Sequence, residues 1–199
     1  MDHAFPEETK QQNLEQIIDD ILGEKKITIF IGNFVLREKD KKKESHITCD
    51  LILKNNIIKI RGSGSGAVDA LYNSVINKLV KEYYSLSSVK FEDVSMRVKV
   101  KRSNRWNKAD APVEIKLVLK STNKNNLYFS AESNSLMVAA ISVIRKAITF
   151  LINCELSVRQ LQKDIQSATA RNRHDLITTY TLQLSEILYV ADYEHLFKK

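Results

Sequence analysis

Three of the chain's five glycines fall within Arg61-Gly62-Ser63-Gly64-Ser65-Gly66-Ala67-Val68-Asp69-Ala70-Leu71-Tyr72, between a β-branched run and a long apolar-periodic segment. That order spells a strand, a glycine turn and a helix N-terminus. Glycine there admits positive φ and close backbone approach, while the unpaired N–H groups of a first helical turn suit an anion such as a carboxylate. This is chemistry for binding a small acid. Catalysis has no comparable support: the segment holds no G-x-S-x-G and no Gly-Lys-Ser/Thr to end a phosphate loop. Cys49 and Cys154 lie far apart with no CxxC pair and no histidine at metal-ligand spacing, so they read as buried reduced thiols. The reading contains no catalytic residue, no metal and no cofactor.

The elements that position this segment follow from periodicity. Leu14, Ile17, Ile18, Ile21 and Leu22 mark one face of a helix over Glu7–Leu22, with Pro6 near its start and Gly23 at its end. Strands are expected at Ile27–Arg37, His46–Lys54 and Ile57–Arg61, the last two joined by an Asn55-Asn56 turn, and a helix from about Ala67 to Tyr84. The same order recurs, with strands at Phe91–Arg102, Pro112–Lys120 and Leu127–Ala131 and a helix from about Ser135 to Asn153. Ile47–Lys54 lies over Val113–Lys120 at a spacing of 66, and that spacing sets Asp69 over Ser135 and Leu71 over Met137.

The fold class is therefore α+β: two pseudo-repeated βββα units, residues 25–86 and 90–154, behind an N-terminal helix over 1–24. Residues 155–199 turn helical throughout. Val158, Leu161, Ile165 and Ala168 mark one face, and Ile177, Tyr180, Leu184, Ile187, Leu188 and Ala191 another, so a helical hairpin turning near Ala170–His174 is expected.

A chain with 43% hydrophobic residues can bury a core, which excludes wholesale disorder. The net charge of +7 is scattered, and its densest run, Lys39–Glu44, reads as a solvated hairpin tip. Lys99, Lys101, Arg102, Arg105 and Lys108 around Trp106 form the one basic and aromatic cluster suited to nucleic acid, but alternation with apolar residues is what a half-exposed strand shows anyway. The weight falls against a nucleic-acid partner. The acidic N-terminus lacks the basic flank and apolar core of a secretory signal, and no apolar run approaches the roughly 20 residues of a membrane span. The expectation is a cytoplasmic protein with no membrane partner.

Gly64-Ser65-Gly66-Ala67-Val68-Asp69-Ala70-Leu71-Tyr72 resembles the G-x-G-P-V-D-A-L signature of the C-terminal regulatory domain of α-isopropylmalate synthase, shared with citramalate synthase. The resemblance covers roughly Ile27 to Asn153, including the repeat. It implies a homodimer that binds a feedback amino acid, leucine or isoleucine, between its units and inhibits a separate catalytic barrel. Such a barrel needs about 250 residues, and its histidine-held divalent metal has no counterpart in His3, His46, His174 and His195. The resemblance thus implies a non-enzymatic module acting on a separate catalytic subunit in branched-chain amino-acid biosynthesis. Carried over position by position, it puts Gly64, Ser65, Gly66, Ala67 and Val68 against the effector, with Asp69 near its charged end and Tyr72 and Val75 along the helix.

The chain departs from the signature in two places. Ala67 stands at the usual proline. In the second repeat, Ala131-Glu132-Ser133-Asn134-Ser135 has no glycine, and Ser135 replaces the acid. Glu132, Ser133 and Ser135 are the candidates for the second half of the site, with Glu132 a stand-in for the lost carboxylate. Asp69 has two readings, a ligand for an ammonium or an N-terminal carboxylate that caps its own helix. The corresponding alternative for the whole chain is an interaction scaffold that keeps the dimer and binds no ligand.

Overall fold

The computed structural model describes residues 6–39, 43–99 and 111–197. The Lys39–Glu44 tip and the cluster around Trp106 lie largely outside the described residues. Strands β1 (Phe30–Lys39), β2 (Glu44–Leu53) and β3 (Asn56–Gly64) form one antiparallel sheet in the order β1-β2-β3, and β4 (Val89–Val98), β5 (Val113–Ser121) and β6 (Asn126–Ser133) a second in the order β4-β5-β6. Helix α1 (Pro6–Leu22) precedes the first sheet and α2 (Ala67–Leu79) follows it; α3 (Leu136–Ala170) and α4 (His174–Leu188) follow the second. The α+β class and the two βββα units are as the sequence indicates.

Each central strand alternates strictly. Ile47, Cys49, Leu51 and Leu53 of β2 and Ile115, Leu117 and Leu119 of β5 are buried under α2 and α3 respectively, while intervening side chains turn outward. This one-sided coverage is what an antiparallel sheet with a single helical layer requires. The β2–β3 turn is Lys54-Asn55, one residue earlier than expected, because Leu53 pairs with Asn56 and both turn residues take positive φ, 48° and 67°. That is the twist a two-residue hairpin needs.

The repeat is real, but its spacing is not constant. The N-caps Gly66 and Ser135 stand 69 residues apart, so the helices align with Ala70 over Ala139 and Val75 over Ile144, all four buried. Asp69 therefore lies over Val138, and Leu71 over Ala140, rather than over Ser135 and Met137. The β5–β6 turn is longer than the β2–β3 turn, while the two strand-to-helix connections are each two residues long.

Two further boundaries differ. Helix α2 stops at Leu79, and the chain turns so that Tyr83, Ser85 and Leu86 are buried in and before a 3-10 segment, Tyr84–Ser88, that leads into β4. Helix α3 does not end at Asn153: with no glycine or proline across its 35 residues, it runs through residues 154 and 155 to Ala170. Its middle, Phe150–Glu155, is buried on every side, and packing there removes any need for a break. The turn that follows falls at Arg171–Arg173, within the expected interval, with Asn172 in the left-handed region at φ 53°. By length and composition α3 could cross a membrane, contrary to the reading of the runs, but 56% of its most apolar window is buried inside the fold. That apolarity serves the core.

Side-chain amides fasten the layers. Asn153 accepts from the Ile27 N–H (2.9 Å) and donates to the Ile27 carbonyl (2.8 Å), and Gln11 does the same to Tyr128 at 3.0 Å each. Each amide completes a strand-like pair where no strand partner exists. Asn153→Leu is expected to cost about 2 kcal/mol, since it strands two buried backbone groups; urea unfolding with loss of Ile27 amide protection checks it. Cys49 and Cys154 are buried and unpaired. Beyond residue 153, the fully buried Glu155 accepts from the Ser85 N–H (3.0 Å) and hydroxyl and from Arg159, and its Oε1 lies 3.7 Å from His195 Nε2.

Candidate functional site

The glycine segment is built by close contact and not by unusual dihedrals. β3 continues through Gly64, so Gly62 and Gly64 are strand residues, and neither they nor Gly66 has positive φ. A Cβ on Gly62 would stand 2.5 Å from the Ala70 carbonyl oxygen and 2.7 Å from the Ser74 nitrogen; one on Gly64 would stand 2.5 Å from the Ala70 nitrogen. Helix α2 thus lies with its backbone directly on the backbone of β3. Gly66, the N-cap in extended conformation at φ −163°, has open space where its Cβ would be.

Asp69 sits in the first turn of α2, and both its carboxylate oxygens are engaged. Oδ2 accepts from the Ser65 N–H (2.9 Å) and hydroxyl (3.2 Å), and Oδ1 from the Asn73 amide (3.1 Å), which also donates to the Ser63 carbonyl (3.1 Å). This is the reach-back cap of a helix N-terminus, with the carboxylate at the positive end of the helix dipole.

Val68, Tyr72 and Val75 point into the core. The Tyr72 hydroxyl donates to the Val89 carbonyl (3.2 Å), and its ring meets Phe91 edge-on with centroids 5.6 Å apart. Tyr72 thereby ties α2 to the first strand of the second unit, and burial raises its phenol's pKa. In the second repeat, Glu132 is ion-paired to Lys99 at 2.6 Å, and Lys99 also reaches Glu114 at 3.3 Å. Hydrogen bonding to the two carboxylates raises the Lys99 ammonium's pKa. The Ser133 hydroxyl accepts from the Ser135 N–H, and Ser135 caps α3 by accepting from the Val138 N–H at 3.5 Å. Among the described residues, no hydrogen bond or ion pair joins Glu132–Ser135 to Gly64–Asp69.

What the sequence missed is a polar recess of about 450 Å³ beside the glycine segment, lined by His46, Arg61, Gly62, Ser63, Asn73 and Asn77. Among the described residues no hydrogen bond or ion pair holds the side chain of Arg61 or of Asn77, and His46 Nε2 lies 3.2 Å from a Glu44 carboxylate oxygen. Guanidinium, imidazole and amide donors around one opening suit an oxyanion or carboxylate. The available signal was Asn73 and Asn77, one helical turn apart, facing the strand that carries Arg61. Among the described residues no group of histidine, cysteine and carboxylate side chains could hold a metal.

Comparison with curated proteins finds no match. A family model for the LeuA allosteric (dimerisation) domain matches residues 8–152, which takes in α1, both sheets, α2 and the first half of α3, and stops just before Asn153. With that match over most of its length, the chain belongs to the LeuA allosteric (dimerisation) domain family.

Proposed function

We propose that this chain is a regulatory and dimerisation module, cytoplasmic and non-catalytic. In this reading it binds a branched-chain amino acid or similar small acid and acts on a separate catalytic subunit of leucine or isoleucine biosynthesis. The observation that carries the effector reading is the donor-rich recess next to the family's glycine segment: Arg61, Asn77 and His46 offer the acid end of an effector what it needs. The two buried thiols without a disulfide suit a reducing compartment.

Dimerisation has support of its own. Helices α2 and α3 leave the first strand of each sheet under-covered on its inner face. Phe34 opposite Cys49, and Met96 opposite Ile115, occupy equivalent positions and are 38% and 52% exposed; Val98 is 55% exposed. An isologous contact between copies would cover both strips at once. Met96→Glu is expected to convert a dimer into a monomer of 22.8 kDa by light scattering, without loss of helical signal.

Calorimetric titration with leucine, isoleucine and valine tests the effector reading. Saturable binding by one of them, weakened at least about tenfold by Arg61→Gln, is the expected result. No heat from any of the three with a folded dimer would sink it. One observation favours the second reading, a scaffold without ligand: both Asp69 oxygens are spent on the cap, and Val68, Tyr72 and Val75 are core residues.

A further inference from the structure

Among the described residues the outer strands of the two sheets are β1 and β3 in one, β4 and β6 in the other. Three of these edges are blunted. β1 and β4 each carry a register shift, between Ile31 and Phe34 and between Phe91 and Asp93, which spoils an edge as a template for another strand. The edge of β6 is occupied. Gln11 of α1, which lines a cleft of about 760 Å³ together with Glu15 and Phe150, takes both backbone groups of Tyr128, and Lys146 takes the Ser130 carbonyl. β3 has neither device: its register with β2 is unbroken from Asn56 to Gly64.

Along an antiparallel pair, residues that bond across alternate with residues whose N–H and C=O turn away. The two-residue turn makes Leu53 and Asn56 a bonded pair, so Ile57, Lys59, Arg61 and Ser63 turn their backbone groups to the free edge. Tyr128 holds the place in β6 that Ile57 holds in β3, opposite Val118 as Ile57 is opposite Ile52, and its groups do point outward, to Gln11. On β3, Asn73 takes the Ser63 carbonyl, and among the described residues no hydrogen bond from outside the sheet reaches the backbone of Ile57, Lys59 or Arg61.

The side chains on this edge select what can pair with it. Ile57 is 70% exposed, more than any other large hydrophobic residue described. Lys59 and Arg61 are exposed, and among the described residues no hydrogen bond or ion pair holds either side chain. Across the strand pair, Lys59 faces Asp50, whose carboxylate accepts from Asn33 at 3.3 Å, and Arg61 faces Thr48. A second copy laid antiparallel about Lys59 would set lysine against lysine and arginine against isoleucine. Carboxylates at alternate positions of an incoming strand would instead meet both cations.

We propose that the β3 edge is a docking site, independent of the effector reading, for an extended acidic segment of a partner protein, added antiparallel as a fourth strand. Carboxylates two residues apart lie beside Arg61 and Lys59, an apolar side chain lies beside Ile57, and the segment's backbone closes on residues 57, 59 and 61. Amide hydrogen exchange of the full chain, read by nitrogen-15 NMR with the acetylated and amidated peptide Thr-Glu-Thr-Glu-Thr-Val-Thr, tests it. Saturable slowing at the amides of Ile57, Lys59 and Arg61 is expected. Binding should weaken at least about tenfold when both glutamates are replaced by lysine, when the central glutamate is N-methylated, or in Lys59→Glu. Equal binding of the lysine or N-methylated peptide, or no slowing at those amides, would overturn the proposal. Protection of the same amides in the protein alone, rising with its concentration, would give the edge to a second copy and overturn it too. Leucine heats measured without peptide decide the effector reading by themselves, so either reading can fail without the other.

Discussion

Replacing Gly62 by alanine is expected to cost about 3 kcal/mol, seen as a fall of roughly 6–12 °C in melting temperature. The new methyl would meet the Ala70 carbonyl oxygen at 2.5 Å and the Ser74 nitrogen at 2.7 Å. Those are helix backbone atoms that cannot swing aside as a flexible side chain would, so α2 must lift from β3. Gly64→Ala should behave alike, with Ala70 N 2.5 Å away. Gly66→Ser is the control: its position is open, its φ suits any residue, and serine is a good N-cap, so no loss is expected. Thermal unfolding followed by circular dichroism separates the three. A Gly62→Ala protein melting within a degree of the parent would refute the close-contact account and return the glycines to a conformational or ligand-facing role.

The second large effect is expected at Glu155, three residues past the end of the family match. Glu155→Ala leaves the buried Ser85 N–H and hydroxyl without an acceptor and Arg159 without its ion pair. A loss of about 3 kcal/mol follows from stranding buried donors. Because Ser85 sits in the 3-10 segment between the two βββα units, the damage should be local as well as global. Hydrogen exchange is expected to quicken at Ser85 and at Asp192, whose N–H donates to the Ser88 hydroxyl at 3.0 Å. Glu155→Gln keeps an acceptor and should lose less. Unchanged protection at Ser85 in Glu155→Ala would mean the carboxylate is not what holds that segment.

Local pattern carried much of this architecture. The alternation of β2 and β5, the apolar stripe of α1 ending at Gly23, and the α3–α4 turn are all set by residues within a few positions of one another, which a sequence displays directly. Other features depend on contacts between distant residues. The glycines read as a turn because nothing in the sequence reveals that Ala70 and Ser74 will press on positions 62 and 64. Residues 154 and 155 read as a boundary because composition shifts there, while the buried surroundings of the unbroken α3 come from Ile27, Tyr83 and Tyr193, far away in the chain. Asp69 read as open to two roles, and only the positions of Ser65 and Asn73 show where both oxygens go. The cleft under α1 was invisible for the same reason, since Glu15 on α1 and Phe150 on α3 line one recess only after folding.

The unbroken α3 makes the chain a mechanical object as well as a folded one. Its first half is seated on the second sheet and residues 153 and 155 are tied to Ile27 and Ser85, while the helix runs about 22 Å further to Ala170 at 1.5 Å per residue, braced by α4. A tilt of about 10° at that anchor would therefore carry the Arg171–Arg173 tip through roughly 4 Å. The hairpin is in effect a pointer, turning small changes of seating on the sheet into displacements large enough for a neighbouring molecule to register.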